Sequence, residues 1–284
     1  MAVSAARLAG RRIANGVFVA FCYFVTAIAL IFLIAVLWTL IQKGLGGLSF
    51  HIFTMDTPAA GSIGGLRNAL IGSLLLCGLA MVIALFVGML AGTWLAEYAG
   101  DSRYGSVVRF LNDVLLSAPS ILIGLFVWWA MVAHVIGHFS GWAGSVALAL
   151  IAVPVIARTT EDVLRLQPTS LRESGMALGT PFWTVIRAIL WRAASSGILT
   201  GALLAFSRIS GETAPLLFTA LSNQFLSWDM GHPMASLPVV MFNDGLSAYD
   251  DLVRLAWSAA LIVSGAVLAV IIIARVLTRE QKIV

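Results

Sequence analysis

Charged residues are scarce in this chain. Only 11% of its 284 residues are Asp, Glu, Lys or Arg, against about a quarter in a soluble domain. With 60% hydrophobic residues and a mean hydropathy of +0.99, there is too little polar material to cover a soluble protein of this length. A soluble globular domain and a disordered chain are both excluded. Cysteine is almost absent. Cys22 and Cys77 each sit in an apolar run, which predicts two small buried hydrophobes and excludes a disulfide scaffold. Lysine is equally rare: Lys43 and Lys282 are the only two, and neither follows a G-x-x-x-x-G. The chain therefore has no phosphate-cradling loop of the Walker type, and any nucleotide site belongs to another polypeptide. No nucleophile–base set and no metal-ligand cluster can be assembled, so no catalytic residue, cofactor or metal is expected.

Long uncharged runs are plentiful. Val17–Ile41, Ala69–Ala96, Val114–Ile136, Gly141–Ala157 and Leu255–Ala274 contain 25, 28, 23, 17 and 20 residues without a charge. Each is near the roughly 20 residues that carry a helix across a bilayer core of about 30 Å. A further run begins at Ala193 and stays apolar through Leu221, interrupted by Arg208, Glu212 and Pro215. It is the fifth span in chain order, which makes six. The fold class is thus all-α, a polytopic membrane protein with a short N-terminal segment (residues 1–16) and one transmembrane domain (residues 17–284). The first run is longer than the h-region of a cleaved signal peptide and lacks a small-x-small cleavage site before Lys43, so it is read as an uncleaved first helix.

The formal charge of +4 and pI near 9.5 are explained by topology. With the N-terminus in the cytoplasm, 13 basic residues, from Arg7 to Lys282, fall on the inside and three (Lys43, Arg67 and Arg254) on the outside. This is a positive-inside bias, and it removes any need for a nucleic-acid partner. Both termini are then cytoplasmic. Trp38, Trp142, Trp228 and Trp257 fall near the expected interfaces and read as belt residues. Gly88 and Gly92 in the second span, and Gly197 and Gly201 in the fifth, form GxxxG pairs. Such pairs let helix backbones approach closely, although glycine-rich spans also produce them by chance.

The polar stretch 158–192 between spans four and five is the most patterned loop. Ser170-Leu171-Arg172-Glu173 has the form of a capping box, with Ser170 as N-cap. Gly179 is placed to end the following short helix in the left-handed conformation. Thr180-Pro181 then starts an amphipathic helix, 182–194, with Thr180 as N-cap and Pro181 at the first helical position. That helix runs directly into span five. The loop can either carry a push from a cytoplasmic partner into the membrane or lie passively on the headgroups.

Two charged pairs stand out. Arg208 and Glu212 are four residues apart and are expected to share a helix face. Charges inside a span cost about 2.5–3.5 kcal/mol each. The pair either locks helix packing or lines a permeation path where the guanidinium binds an oxyanion bidentately while Glu212 holds it and moderates its grip. His134 and His138 share the same spacing at the outer end of span three, but no third ligand lies nearby, so they are read as interfacial histidines. Arg67, bordering span two, either collects anions or anchors the helix in the headgroups.

Glu173-Ser174-Gly175-Met176-Ala177-Leu178-Gly179 resembles the E-A-A-x-x-x-G motif of ABC importer permeases, with Ser174 and Gly175 in the alanine positions. The downstream I-x-L-P of that family has Ile189 in place, with Trp191 and Arg192 in the last two positions. Arg208 through Ala220 closely resembles the R-x-x-G-E-T-A-P-L-L-F-T-A stretch of the phosphate-importing permeases in that family. Gly64–Leu74, Ala118–Val127 and Met234–Pro238 are also similar, so the resemblance spans about residues 60–275 in the same order. It implies a MetI-like permease fold and ATPase coupling through Glu173, Ser174, Gly175 and Gly179. It implies a phosphate path that includes Arg208, Glu212 and Arg67. The implied partners are a second permease subunit, a dimeric ATP-binding subunit and a periplasmic phosphate-binding protein in a bacterial inner membrane. Phosphonate, molybdate or sulfate as the oxyanion, and a scaffold role in phosphate sensing, are the alternatives.

Overall fold

The computed structural model describes residues 5–280. Lys282 lies outside the described residues, as do the side chains of Arg7 and Arg279. All regular structure among the described residues is helical. The first helix, α1 (Ala5–Leu45), takes in residues 5–16 of the expected N-terminal segment. A single turn, α2 (His51–Thr54), leads to α3 (Arg67–Glu97). Next come α4 (Arg103–Ser117), α5 (Ser120–Val127) with its π-helical continuation Trp128–Ile136, and α6 (Gly141–Arg165). Then follow α7 (Thr169–Ala177) and α8 (Phe182–Val185), which continues through a π-helical turn, Ile186–Leu190, into α9 (Trp191–Ala193). The chain finishes with α10 (Ser195–Ile209), α11 (Ala214–Thr219), α12 (Leu237–Gly245) and α13 (Asp250–Glu280).

Among the described residues four helices are long and apolar enough to cross a membrane, and two bent pairs bring the number to six when each pair counts as one span. The expected count of six is met, but three spans differ in detail. Span three, expected as one run from Val114, is broken at Ala118-Pro119, where the chain turns by 104°. Proline removes a backbone donor and disfavours helix in the residue before it, so an uncharged run need not be one helix. Span four, expected to stop at Ala157, continues through Pro154 to Arg165. Asn112 Nδ2 donates to the Pro154 carbonyl at 3.2 Å, and the polar turns after Ala157 remain helical because they pack against the protein. Span five is bent by 73° where α9 meets α10 at Ala194, although no proline stands there; the π-helical turn at Ile186–Leu190 precedes the bend.

The core lies where α3, α6 and α10 meet, with Leu76, Ala80, Ala84, Leu148, Ile156 and Ala205 fully buried. Both GxxxG pairs face α6. A Cβ on Gly92 would meet the Ala157 carbonyl and Thr160, and one on Gly201 would meet Thr159. The small residues therefore set a close helix approach. Gly92→Leu is expected to reduce membrane levels of the protein severely, because backbone atoms of α6 cannot yield; immunoblotting of membranes against an exposed control such as Gly78→Leu checks this. Cys77 is half-buried against the core, but Cys22 is exposed on α1, contrary to expectation. Most of α1 is exposed among the described residues; its main neighbour is α13, where Ser258 Oγ donates to the Gly44 carbonyl at 2.9 Å.

Candidate functional site

Arg208 stands in the last turn of α10, and the helix ends one residue later. At 1.5 Å per residue it lies roughly 20 Å along α10 from Ser195. Glu212 is not on the same helix. It sits in the non-helical turn 210–213 before α11, so the expected shared helix face is corrected. The two side chains still meet, with Arg208 Nε 4.0 Å from Glu212 Oε1. The contact is loose: the Arg208 side chain is 36% exposed and that of Glu212 17%. A Cβ on Gly211, between them, would find open space.

The break itself has chemical meaning. Backbone groups freed from a helix at membrane depth are tolerated where they are buried in protein or line a cavity. Here the C-terminal end of α10 and the start of α11 flank a permanent cation and a carboxylate. The negative end of the α10 dipole favours Arg208 at that point. The result is a guanidinium with several N–H donors not used by Glu212, beside open space, able to take an oxyanion bidentately.

Arg67 is elsewhere. At the first position of α3, it donates through Nε to Asp56 Oδ1 at 2.9 Å. Asp56 Oδ2 also accepts from the Leu226 amide at 3.0 Å. The Arg67 hydrogen bond holds the Asp56 carboxyl below its usual range. Asn68, almost fully buried, accepts from Thr57 and donates to the Asn223 carbonyl at 2.7 Å. Arg67 thus ties the loops before α3 and after α11 to α3 and makes no ion pair with Glu212. The histidines also separate: His134 Nδ1 lies 2.6 Å from the Trp129 carbonyl, whereas His138 stacks on His232 with centroids 5.7 Å apart.

At the opposite end, α7 projects as a short arm. Glu173, Ser174 and Gly179 are exposed and Gly175 is buried. The capping box does not form, because α7 starts at Thr169 with Pro168 as its N-cap and no side-chain cap. Gly179 does adopt the left-handed conformation, with φ +75. Thr180 does not cap the next helix; its Oγ1 donates instead to the Gly175 carbonyl at 2.9 Å, and Pro181 is the cap residue. A Cβ on Gly175 would press on Val185 and Ile189, so α7 lies directly on the α8 turn.

Two buried carboxylates that sequence reasoning missed lie at this end, Glu97 holding the arm and Glu161 tying α4 to α6. Glu97, at the end of α3, accepts from Arg172 Nη2 at 2.6 Å and Nε at 2.8 Å. Arg172 also donates to the Leu164 and Gln167 carbonyls, and the hydrogen bonds to Glu97 raise its pKa further. Glu161 accepts from Arg109 at 2.7 Å and pairs with Arg165 at 2.9 Å. A carboxylate at a helix C-terminus opposes the dipole and so calls for a cation; Glu97 directly after a long uncharged run carried that signal. Trp191 Nε1 donates to Thr93 Oγ1 at 3.1 Å, so α7, α9 and α3 are joined at the base of the bent span.

The family described as "Binding-protein-dependent transport system inner membrane component" matches residues 88–282. The "Phosphate transport system permease protein PstA" of Haemophilus influenzae is 51% identical over 272 residues, covering 96% of this chain and 96% of that protein. The protein of the same name in Yersinia pestis is 51% identical over 254 residues, covering 89% of this chain and 86% of its own. "Phosphate transport system permease protein PstA 1" of Mycobacterium tuberculosis is 35% identical over 96% of this chain and 91% of its own. A chain of the inward-facing MetNI methionine ABC transporter superposes with a TM-score of 0.61 at 18% identity, over 75% of this chain and 95% of that one, which shows a common fold. Matched over most of its length by the family and by relatives of half-identical sequence, this multi-pass chain belongs to the binding-protein-dependent transport system inner membrane components.

Proposed function

We propose that this chain is a membrane permease subunit of an ATP-driven importer of inorganic phosphate in a bacterial inner membrane. The observation that carries this reading is the Arg208–Glu212 pair at the break between α10 and α11, at the end of an apolar span. The likeness to phosphate permeases supports the choice of oxyanion. Phosphate carries one to two negative charges near neutral pH and must lose hydration to cross. Arg208 stays protonated at any physiological pH and supplies the counter-charge. Glu212 positions it and weakens its hold enough for release.

ATP is bound and hydrolysed by a dimeric partner subunit that docks on Glu173, Ser174 and the rest of α7. Closure of that dimer pushes α7; Arg172 and Glu97 pass the motion to α3, and the bent α9–α10 junction passes it to Arg208. A second permease subunit completes the path, and a periplasmic phosphate-binding protein delivers the anion. Both termini are cytoplasmic, on the strength of the basic-residue bias. With Cys22 and Cys77 replaced by serine, a cysteine at Ser174 is expected to react with an impermeant maleimide only from the cytoplasmic side. One at Ser247 is expected to react only from the periplasm. The reverse pattern overturns the orientation.

The test of function is labelled-phosphate uptake in cells lacking other phosphate importers, with and without this chain. Uptake that depends on the chain and on ATP, and that excess sulfate, molybdate or phosphonate leaves in place, is the expected result. Suppression by one of those anions reassigns the substrate, and normal uptake without the chain removes the transport role.

A further inference from the structure

A cavity of about 570 Å³ lies between the end of α1 and the start of α13, lined by Gln42, Lys43, Asp250, Arg254 and Trp257 among others. Lys43 and Arg254 are two of the three basic residues at this end of the bundle, and the third, Arg67, is held by Asp56. Lys43 Nζ lies 5.0 Å over the Trp257 ring. Among the described residues, neither Lys43, Arg254 nor Asp250 is in an ion pair. The cavity therefore presents two cations to one carboxylate, a net positive charge.

Two apolar grooves leave the same place. One, of about 340 Å³, runs along α1 beside Phe32, Val36 and Leu40. The other, of about 220 Å³, runs between α12 and α13 beside Met241, Ala256 and Ala260. Trp257 lines the polar cavity and both grooves. From Leu40 to Phe32 the first groove descends about 12 Å at 1.5 Å per residue, close to one leaflet of a core about 30 Å thick. A tryptophan at the boundary between polar and apolar space is in its preferred membrane position.

The geometry points to a bound diacyl phospholipid with an aminoethyl headgroup. Its phosphate sits between Lys43 and Arg254, its ammonium meets Asp250, and its two acyl chains lie in the grooves on either side of Trp257. Charge complementarity selects this occupant. Free phosphate uses the cations but leaves both grooves empty, and an apolar helix of another subunit fills the grooves but leaves three charges without partners. The lipid uses all three spaces. It seals α1 to α13, the element that α1 chiefly packs against among the described residues.

The test is native mass spectrometry of the chain in the assembly it occupies in the membrane, reconstituted in discs containing equal phosphatidylethanolamine and phosphatidylglycerol and then stripped with detergent. One phosphatidylethanolamine per chain is expected to survive stripping, and the Lys43→Gln/Arg254→Gln double variant is expected to lose it at least tenfold. Asp250→Asn, with both cations kept, is expected to retain phospholipid but no longer prefer phosphatidylethanolamine. Both changes are on exposed side chains, and recovery of the intact assembly confirms folding. Equal retention in wild type and double variant overturns the proposal, as does equal retention of the two lipids by wild type. Displacement of the lipid by millimolar inorganic phosphate makes the cavity an anion-gathering site. Failure of Lys43 to react with an amine reagent in an assembly that carries no phosphatidylethanolamine makes it a subunit interface and overturns the proposal.

Discussion

Replacing Arg208 with glutamine is expected to lower labelled-phosphate uptake about a hundredfold while the protein still reaches the membrane. A charge-assisted hydrogen bond contributes about 1.5–3 kcal/mol, and each 1.4 kcal/mol is a factor of about ten. The substitution also leaves Glu212 facing the path unpaired, which adds repulsion toward the anion. Because Arg208 is partly exposed and only loosely paired, its loss removes little packing, so membrane levels should stay near normal. Glu212→Gln is expected to impair uptake less, through an Arg208 that is misplaced or holds phosphate too firmly. Uptake measured with membrane levels in the two single variants and the double variant decides the matter. Wild-type uptake in Arg208→Gln reduces the residue to a packing role.

Gly179→Val is expected to leave the protein in the membrane and ATP hydrolysis running, with phosphate uptake lost. The cause is backbone strain. Gly179 has φ +75 and open space where a Cβ would go, so size alone is no obstacle. A β-branched residue pays about 1–3 kcal/mol to hold that conformation, and the turn after α7 relaxes instead, detaching Thr180 from Gly175. Asparagine visits the left-handed region more readily, so Gly179→Asn should retain much of the uptake. A Gly179→Val variant that imports at the normal rate refutes the coupling role. Gly175→Leu should uncouple as well, since its side chain displaces α7 from Val185 and Ile189.

Much of this was legible in the chain. Uncharged runs gave the spans, because hydrocarbon rejects charge whatever the neighbours are. The GxxxG pairs pointed to close helix contacts, and Gly179 to a left-handed turn, because both depend on the backbone freedom of a single residue type. The motifs around Glu173 and Arg208 marked the two segments to which the proposed coupling and substrate roles are assigned. Hydropathy could not tell one helix from two, so the 104° turn at Pro119 was hidden within a charge-free run. Side-chain caps at Ser170 and Thr180 failed because each alternative is local and nearly equal in energy; proline at 168 and 181 took the cap positions.

Pairing was decided by the tertiary structure alone. Arg67 goes to Asp56 eleven residues away, Glu97 to Arg172 and Glu161 to Arg109. The sequence determines that each buried charge needs a partner, since an uncompensated one costs about 3–5 kcal/mol. Which partner it meets depends on how α3, α4, α6 and α7 pack, and that follows from where small residues let backbones approach. The same holds for Arg208 and Glu212. Their spacing suggested one helix face, but the helix ends at Ile209, leaving the cation in its last turn and the carboxylate in the non-helical turn that follows.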